Sequence, residues 1–429
     1  MQKIEGVSMS KICVIGGGAA GMAAAMFAAE RGFTVHLFER NEKLGKKLFI
    51  TGKGRCNFTN ACEKDELFSH VVTNPRFLYS AFNSFSSQDA IRLFEGLGVR
   101  TKVERGNRAF PSSDHSSDII RALESRLRSL DVKIHLKTRV LKVLTEDLPP
   151  EEIVKNQSRR VNGILLENGT VIPCDDVILA TGGLSYPSTG STGDGFLIAK
   201  NLGHTTQKQR PALVPLETAE PYIPELQGLS LRNVTLTIPY GKKKQFREFG
   251  EMLFTHFGIS GPLALSASSY IGKYLEDGPL PAYIDLKPAL TDEQLDARIL
   301  REFEESRNKE FKNATASLFP AKLRPVMMKI SSIPGDKPVN EITREERAGF
   351  RRLVKAFPFT VTGLRGYNEA IITQGGITVK EINPSTMESR LVRGMYVIGE
   401  VLDLDAVTGG FNLQIAWSTA KTCADALSA

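Results

Sequence analysis

The pattern of apolar and polar positions divides the chain into segments of different character. The run KICVI at residues 11–15 has little polar alternation, which predicts a strand buried on both faces of a parallel sheet. GGGAAG follows, then MAAAMFAAERG, an alanine-rich stretch that favours helix and is closed by Gly32. FTVHLFE supplies a second strand. Residues 132–144 and 160–183 alternate in the manner of strands, with Asn168 and Gly169 as a hairpin turn, and DDVILATGG adds a further buried strand ending in a Thr-Gly-Gly turn. Residues 205–290 are β-rich with many prolines and predict a sheet or barrel. Residues 291–355 read as helical, with Thr291, Asp292 and Glu293 as one N-terminus. GMYVIGEVLD then forms a strand ending in Gly-Glu, and TGGFNLQIAWSTAKTCADAL is a glycine turn feeding a helix.

The glycine spacing gives this pattern chemical meaning. Gly16, Gly18 and Gly21 stand as G-x-G-x-x-G between the first strand and its helix, and Glu39 ends the second strand 18 residues after Gly21. In that context Gly16 permits the tight turn, Gly18 lets the backbone approach a pyrophosphate, and Gly21 lets helix and strand pack closely. A terminal acid such as Glu39 suits a ribose 2′-hydroxyl and disfavours a 2′-phosphate. Strand-ending glycine turns recur at 181–183 and 399–400. Three such turns exceed the needs of one mononucleotide and fit a dinucleotide stretched along the carboxyl edge of one sheet. The expected fold is therefore α/β, with a discontinuous Rossmann-like dinucleotide domain at 1–204 and 361–429. The segment between is an insertion, β-rich at 205–290 and helical and basic at 291–360 with a return to the barrel.

The stretch FITGKGRCNFTN, residues 49–60, resembles a phosphate loop but fails the spacing G-x-x-x-x-G-K-S/T: Lys47 stands where the first glycine is required and Gly54 replaces the hydroxyl residue. Because it follows the second strand, it leaves the sheet at the carboxyl edge. There is no second strand–GxGxxG–helix unit, so a nicotinamide donor would have to share the substrate cleft.

Composition narrows the class. The chain has 429 residues, 41% hydrophobic and 24% charged, as in ordinary globular proteins of two or three units. No apolar run approaches the ~20 residues of a membrane span, and residues 1–8 read as a polar extension ahead of Met9. Five cysteines without CxxC spacing and six scattered histidines predict a reducing, cytoplasmic setting with no disulfide framework and no metal site. The net charge of +7 leaves two readings open, a merely basic surface or a polyanionic partner. Between Lys322 and Pro358, nine basic residues face four acidic ones, and residues 241–247, GKKKQFR, add a second basic cluster.

With these residues in view, the sequence resembles the two-dinucleotide-binding-fold flavoproteins, and more closely the BaiN/RdsA family, which includes proteins described as aminoacetone oxidases. The resemblance rests on VIGGGAAGMAAA (14–25), GKKLFITGKGRCNFTN (45–60), FPSSDHSSDI (110–119), ATGGLSYPSTGSTGDG (180–195), LFTHFGISGP (253–262), TQGGI (373–377) and GEVLDLDAVTGGFNLQ (399–414). It implies tightly bound FAD, with NAD(P)H as transient hydride donor. By motif it places Gly16, Gly18, Ala19, Ala20 and Gly21 on the pyrophosphate, Glu39 and Arg40 at the adenosine end, and Val140 beside the adenine. Ala180, Thr181 and Gly182 would follow the ribose–pyrophosphate edge, Gly399, Glu400 and Asp403 the ribityl side, and Gly410, Phe411, Asn412 and Leu413 the pyrimidine edge of the flavin. Lys46 and Lys47 would meet phosphate or solvent, and Gly54, Arg55, Cys56 and Asn57 would wrap the flavin end. Asp405 is a weaker carry-over, because Ala406 stands where related sequences often carry glycine.

The resemblance implies reduction of an activated C=C bond, either in uridine of large-subunit ribosomal RNA or in an unsaturated steroid-like acid. An amine oxidase that releases peroxide, or a non-catalytic FAD-containing RNA-binding factor, is the alternative. Cys56 is a candidate proton donor if Lys53 and Arg55 lower its pKa, and otherwise a thiol packed in the core. His256 is a candidate substrate contact and Arg108 a candidate lining residue. The oligomeric state is not legible.

Overall fold

The computed structural model describes residues 10–153 and 157–428; the polar N-terminal extension lies outside them. The chain divides into two compact units, Met1–Pro211 with Tyr367–Ala429, and Ala212–Gly366.

The larger unit is built on a five-stranded parallel sheet. Its strands are β1 (Lys11–Ile15), β2 (Thr34–Phe38), β3 (Lys133–His135), β4 (Asp176–Leu179) and β11 (Met395–Val397), in the spatial order β11-β4-β1-β2-β3. The central strand β1 pairs on both sides, Val14 with Ile178 and with Leu37, which is why its residues are apolar almost throughout. The segment expected as one strand over 132–144 divides: Lys133–His135 joins the sheet edge, while Val140–Asp147 pairs with Arg159–Leu166 in a separate antiparallel layer. There Asn168 and Gly169 (φ 84°) make the hairpin turn, and Thr170 N–H donates to Asn168 Oδ1 at 3.0 Å.

Helix α1 (Ala19–Glu30) buries alanines and methionines against the sheet. It lies close because its first turn has no side chain in the way: a Cβ on Gly21 would stand 1.8 Å from the Gly16 carbonyl oxygen. Helix α5 (Phe411–Ala426) closes the unit from the far end of the sequence. Its Trp417 is fully buried, donates Nε1–H to Phe58 O at 2.8 Å, and meets Phe94 edge-on at 5.4 Å.

The smaller unit is a closed six-stranded antiparallel barrel, with helices entering in sequence between its last two strands. The strands are β5 (Leu216–Thr218), β6 (Ser230–Tyr240), β7 (Lys244–Phe254), β8 (Gly258–Ser260), β9 (Leu280–Asp285) and β10 (Phe357–Leu364), and β5 pairs with β10 to close it. Helices α3 (Asp292–Glu305) and α4 (Arg344–Lys355) start in capping boxes, Thr291 with Gln294 and Thr343 with Glu346. Leu295, Ile299 and Phe303 of α3 share one core with Phe350 and Val354 of α4 and Phe357, Phe359 and Val361 of β10.

The basic segment is largely neutralised within this unit. Lys329 pairs with Glu225, Lys337 with Glu346, Arg347 and Arg351 with Asp296, and Lys355 with Asp285. Four of those five pairs use an acid from outside the 322–358 window, so the excess counted along the sequence overstates the charge presented by the folded surface.

Replacing Gly21 by alanine should destabilise the protein by about 1–3 kcal/mol or more, as an overpacked core does. A melting temperature unchanged from wild type would show that α1 does not depend on this close approach.

Candidate dinucleotide site at the carboxyl edge of the sheet

Three turns leave the carboxyl ends of β1, β4 and β11 and meet. Gly16 has φ 106°, and a Cβ there would stand 2.5 Å from Ala180 O. A Cβ on Gly399 would lie 2.8 Å from the Ala20 side chain. Gly18, by contrast, has nothing within 4 Å of its missing Cβ, so the start of α1 is open on that side. Its first-turn amides have no intrahelical partner and present partial positive charge to that opening.

Glu39 follows β2 and turns its carboxylate back to the glycine turn, where it is already engaged: Oε2 accepts from Gly17 N–H at 2.7 Å, and Oε1 accepts from Asn41 N–H at 2.8 Å and Nδ2–H at 2.7 Å. Arg40 Nη1 bonds Thr192 and reaches Asp194 at 3.1 Å, and Arg139 grips the same Asp194 at 2.8 and 2.9 Å. Val140 is buried at the start of its strand, beside this cluster in sequence. Lys46 Nζ lies 3.3 Å from Asn41 Oδ1.

Lys47 donates to Glu400 and to Ser185 Oγ, both at 2.6 Å, instead of pointing to solvent. Ser185 Oγ–H and Thr373 N–H each complete the Glu400 carboxylate at 2.9 Å, and Thr373 Oγ1 accepts from Leu184 N–H at 2.7 Å. This four-residue network ties the helix after β2 to the turns after β4 and β11. Thr181 Oγ1, in the turn after β4, is buried without a hydrogen-bond partner among the described residues.

The stretch 49–60 packs on the start of α5. A Cβ on Gly410 (φ 98°) would stand 2.4 Å from Thr59 O, and Asn60 Nδ2–H donates to Gly409 O at 3.0 Å. Thr59 Oγ1–H donates to Gln414 Oε1 at 2.6 Å, deeper in the same helix. Asn412 is turned back on its own loop, bonding Ala406 N–H at 3.0 Å and Ala406 O at 2.7 Å, which leaves the backbone amides of 411–413 as the groups the helix end presents. Asn57 Oδ1 is a second buried acceptor without a partner. The open start of α1, the start of α5 and these two orphaned acceptors suit a molecule with phosphates at one end and a hydrogen-bonding ring edge at the other, as FAD has.

Of the two readings of Cys56, activation by its neighbours finds no support in the structure, and burial agrees with a thiol packed in the core. Its neighbours do not activate it: Lys53 is exposed, and Arg55 is committed to Glu104 and, at 2.6 Å, to Asp114 while lying over the Phe110 ring. The thiol is completely buried, and burial pushes its pKa up to about 12 against a smaller opposing hydrogen bond to Thr51. Arg108 donates to Arg105 O within its own turn. His256 belongs to the barrel unit, exposed on the turn between β7 and β8 and edge-on to Phe257 at 5.0 Å.

The structure adds residues that the sequence reading missed. His70 stacks on Phe411 with ring centroids 4.2 Å apart and planes 9° apart. Asn74 Nδ2–H holds Asp403 at its main-chain oxygen (2.8 Å) and at Oδ2 (2.9 Å). Ser185 and Thr373 complete the Glu400 network. None of these lies in a spacing that marks it; only their long-range contacts do. Asp405 is wholly buried, with Oδ2 accepting from Gln374 Nε2–H at 3.1 Å and Oδ1 without a partner. Burial raises its pKa to about 6, outweighing the hydrogen bonds it accepts.

Among the described residues no group of three or more His, Cys, Asp or Glu could hold a metal ion, no helix is long and apolar enough to cross a membrane, and all five cysteines are free thiols.

The fold is a Rossmann-type FAD-binding domain, and with the family it belongs to it places the chain among the flavoprotein oxidoreductases. The chain belongs to the HI0933-like protein Rossmann domain family, whose profile matches residues 10–426. It is 31% identical over 414 residues to a 3-dehydro-bile acid delta(4,6)-reductase of Clostridium scindens, covering 96% of this chain and 97% of that one. It is 32% identical over 419 residues to a ribosomal RNA dihydrouridine synthase of Escherichia coli, covering 97% of both chains. The structure of 3-ketosteroid delta1-dehydrogenase from Sterolibacterium denitrificans shares the fold, with a TM-score of 0.53, 13% identity, and coverage of 98% of this chain and 99% of that one.

The buried Asp405 gives a signed pH dependence. Its folded pKa of about 6 exceeds its ordinary 3.8, so the folded state favours the protonated acid. The penalty for ionising it is absent below the ordinary value, grows as pH rises, and is complete above about 6. The stability of Asp405→Asn relative to wild type should therefore increase between about pH 4 and pH 7, by on the order of 2 kcal/mol. Urea unfolding at both pH values measures it, and a pH-independent difference rejects it.

Proposed function

We propose that this chain is an FAD-dependent reductase of an activated carbon–carbon double bond, driven by NAD(P)H, and that its substrate is a uracil ring in ribosomal RNA. The observation that carries the reading is the bond change shared by the two whole-length relatives. One is named for reducing bile-acid double bonds and the other for making dihydrouridine, which is uridine with its ring double bond reduced. The net charge of +7 favours the polyanionic substrate over the steroid acid.

When bound, FAD supplies two-electron chemistry, taking hydride from the nicotinamide and passing it to the substrate. The residues of this chain bind and orient. Gly16 to Gly21 and the start of α1 would hold the pyrophosphate, and Glu39, with a lone pair still open on Oε2, would take a ribose hydroxyl. Lys47 and Glu400, locked together by Ser185 and Thr373, would keep the ribityl side rigid and charge-balanced. The first-turn amides of α5 at Phe411, Asn412 and Leu413 would face the pyrimidine edge, where partial positive charge favours the reduced, negatively charged ring. Cys56 would fill the core behind this face: a buried thiol held protonated is no nucleophile, and its contacts fix the turn Gly52–Asn57. Asp403 and His70 would shape the approach to the same edge through Asn74 and Phe411.

Four measurements test this. Anaerobic stopped-flow mixing with NADPH and with NADH should bleach the flavin with at least one of them, and a flavin that never bleaches overturns the reductase reading. Reoxidation by air should be slow; rapid peroxide release would establish an oxidase instead. Deleting the gene should remove a specific dihydrouridine from large-subunit ribosomal RNA, and an unchanged modification profile overturns the RNA substrate. Cys56→Ala should cost about 1–2 kcal/mol of stability for the small cavity and leave turnover within a few-fold of wild type. Lost turnover with intact flavin reduction would instead make Cys56 the proton donor.

A further inference from the structure

A cleft of about 540 Å³ opens in the larger unit between the short helix Lys64–Ser69 and the turn Pro75–Leu78, lined by Asp65, Phe68, Ser69, Pro75, Arg76 and Tyr79. Nothing in the dinucleotide site uses these side chains. Tyr79 is 67% exposed, an unusual state for a large aromatic on a folded surface. Its ring lies 6.1 Å from that of Phe68 with planes 26° apart, and Phe68 is fixed from behind by the edge of Phe82 at 5.2 Å. The two rings therefore form a rigid, nearly parallel aromatic wall. Arg76 is exposed, and its guanidinium makes no ion pair or hydrogen bond among the described residues, in contrast to Arg347 of α4, which pairs with Asp296. Asp65 and Ser69 are exposed on the rim.

The cleft is lined by a stretch of chain whose next residues meet the candidate site. Ser69 is followed by His70, which stacks on Phe411 at the start of α5. Pro75 is preceded by Asn74, which holds Asp403. The segment Val71–Thr73 between them pairs with Asp405 and Ala406. The residues that shape the flavin-facing edge and those that line the cleft thus belong to one short stretch of chain.

We propose that this cleft is a subsite for an unpaired nucleotide of the RNA substrate, with its base stacked on Tyr79 and a phosphate held by Arg76. The inference rests on the RNA reading above and specifies how the strand is held. A base has a flat π face for the aromatic wall, amino groups for Asp65 and a hydroxyl-bearing sugar for Ser69. A free guanidinium suits the phosphate between it and its neighbour. A steroid acid would ask for an enclosed aliphatic pocket, and Pro75 is the only aliphatic side chain in this lining. Duplex RNA keeps its bases stacked and cannot offer one to Tyr79, so the subsite selects single-stranded or looped RNA.

The test uses the full-length, FAD-loaded protein and fluorescence anisotropy with a labelled single-stranded oligouridylate of about ten nucleotides, a duplex RNA of the same length, and an unsaturated steroid acid as competitor. Flavin absorbance and melting temperature verify that each variant is folded and loaded. Tyr79→Ala should weaken single-strand binding about tenfold, in the range expected for one lost base stack, while Tyr79→Phe stays within about twofold of wild type. Arg76→Gln should flatten the salt dependence of single-strand binding by about 0.7 in log–log slope, one phosphate contact's worth. Duplex binding should respond to neither tyrosine variant. Unchanged single-strand affinity in Tyr79→Ala overturns the subsite. So does an equal loss for duplex, or displacement of the oligonucleotide by the steroid acid in a Tyr79-dependent manner. If ribosomal RNA loses its dihydrouridine on gene deletion but Tyr79→Ala binds normally, only the subsite fails; if the modification profile is unchanged, the RNA reading itself fails.

Discussion

The larger unit depends on backbone meeting backbone at the carboxyl edge of its sheet. Helix α1 reaches β1 only because Gly21 leaves room for the Gly16 carbonyl, and the turn after β1 reaches the turn after β4 only because Gly16 has no side chain to push against Ala180. These approaches set the position of the α1 N-terminus, and with it the place where a dinucleotide's charge can rest. A methyl group at either position would move the helix end relative to the sheet, and the site would lose its geometry before any functional side chain was touched.

Around that edge, polar groups fix one another. Glu400, Lys47, Ser185 and Thr373 come from four separate parts of the chain, and each satisfies another's hydrogen-bonding capacity. Partly buried charge is stable here because it is paired and bonded on all sides. Two of the buried oxygens left unsatisfied among the described residues, Thr181 Oγ1 and Asn57 Oδ1, lie in the turns expected to touch the cofactor. The contrast between a completed network and acceptors left over is what distinguishes a scaffold from a binding surface.

Much of the fold was legible because local chemistry and global position agree. The glycine spacing, the terminal Glu39 and the buried strand runs all follow from what a dinucleotide fold needs within some thirty residues. The barrel was legible as β-rich chain, and its return after the helical excursion was expected by residue 360, but the closing strand Phe357–Leu364 runs past that bound because no turn signal marks where the excursion ends. The charge of the basic segment was only partly legible for a related reason. A window of sequence counts its own acids and bases, whereas Arg347 and Lys355 find Asp296 and Asp285 far outside it. Cys56 shows the same limit: adjacency to Lys53 and Arg55 suggested activation, while their side chains face solvent and carboxylates. His70, Asn74 and Tyr79 carry no motif, and only the fold brings them to Phe411, Asp403 and Phe68.

The distances in sequence across this site have a consequence for how it comes into being. Lys47 and Glu400 are 353 residues apart, and Phe58 and Trp417 are 359 apart. Strand β11 completes the sheet and α5 packs on the stretch 49–60, and both are made after the inserted unit. On the ribosome, the first half of the Rossmann unit must wait with one sheet edge unpaired while all of Ala212–Gly366 is synthesised. A complete dinucleotide edge therefore exists only once Met395–Val397 and Phe411–Ala426 have been made and have folded back. Truncation near the C-terminus would remove the site altogether, however intact the GxGxxG motif remained.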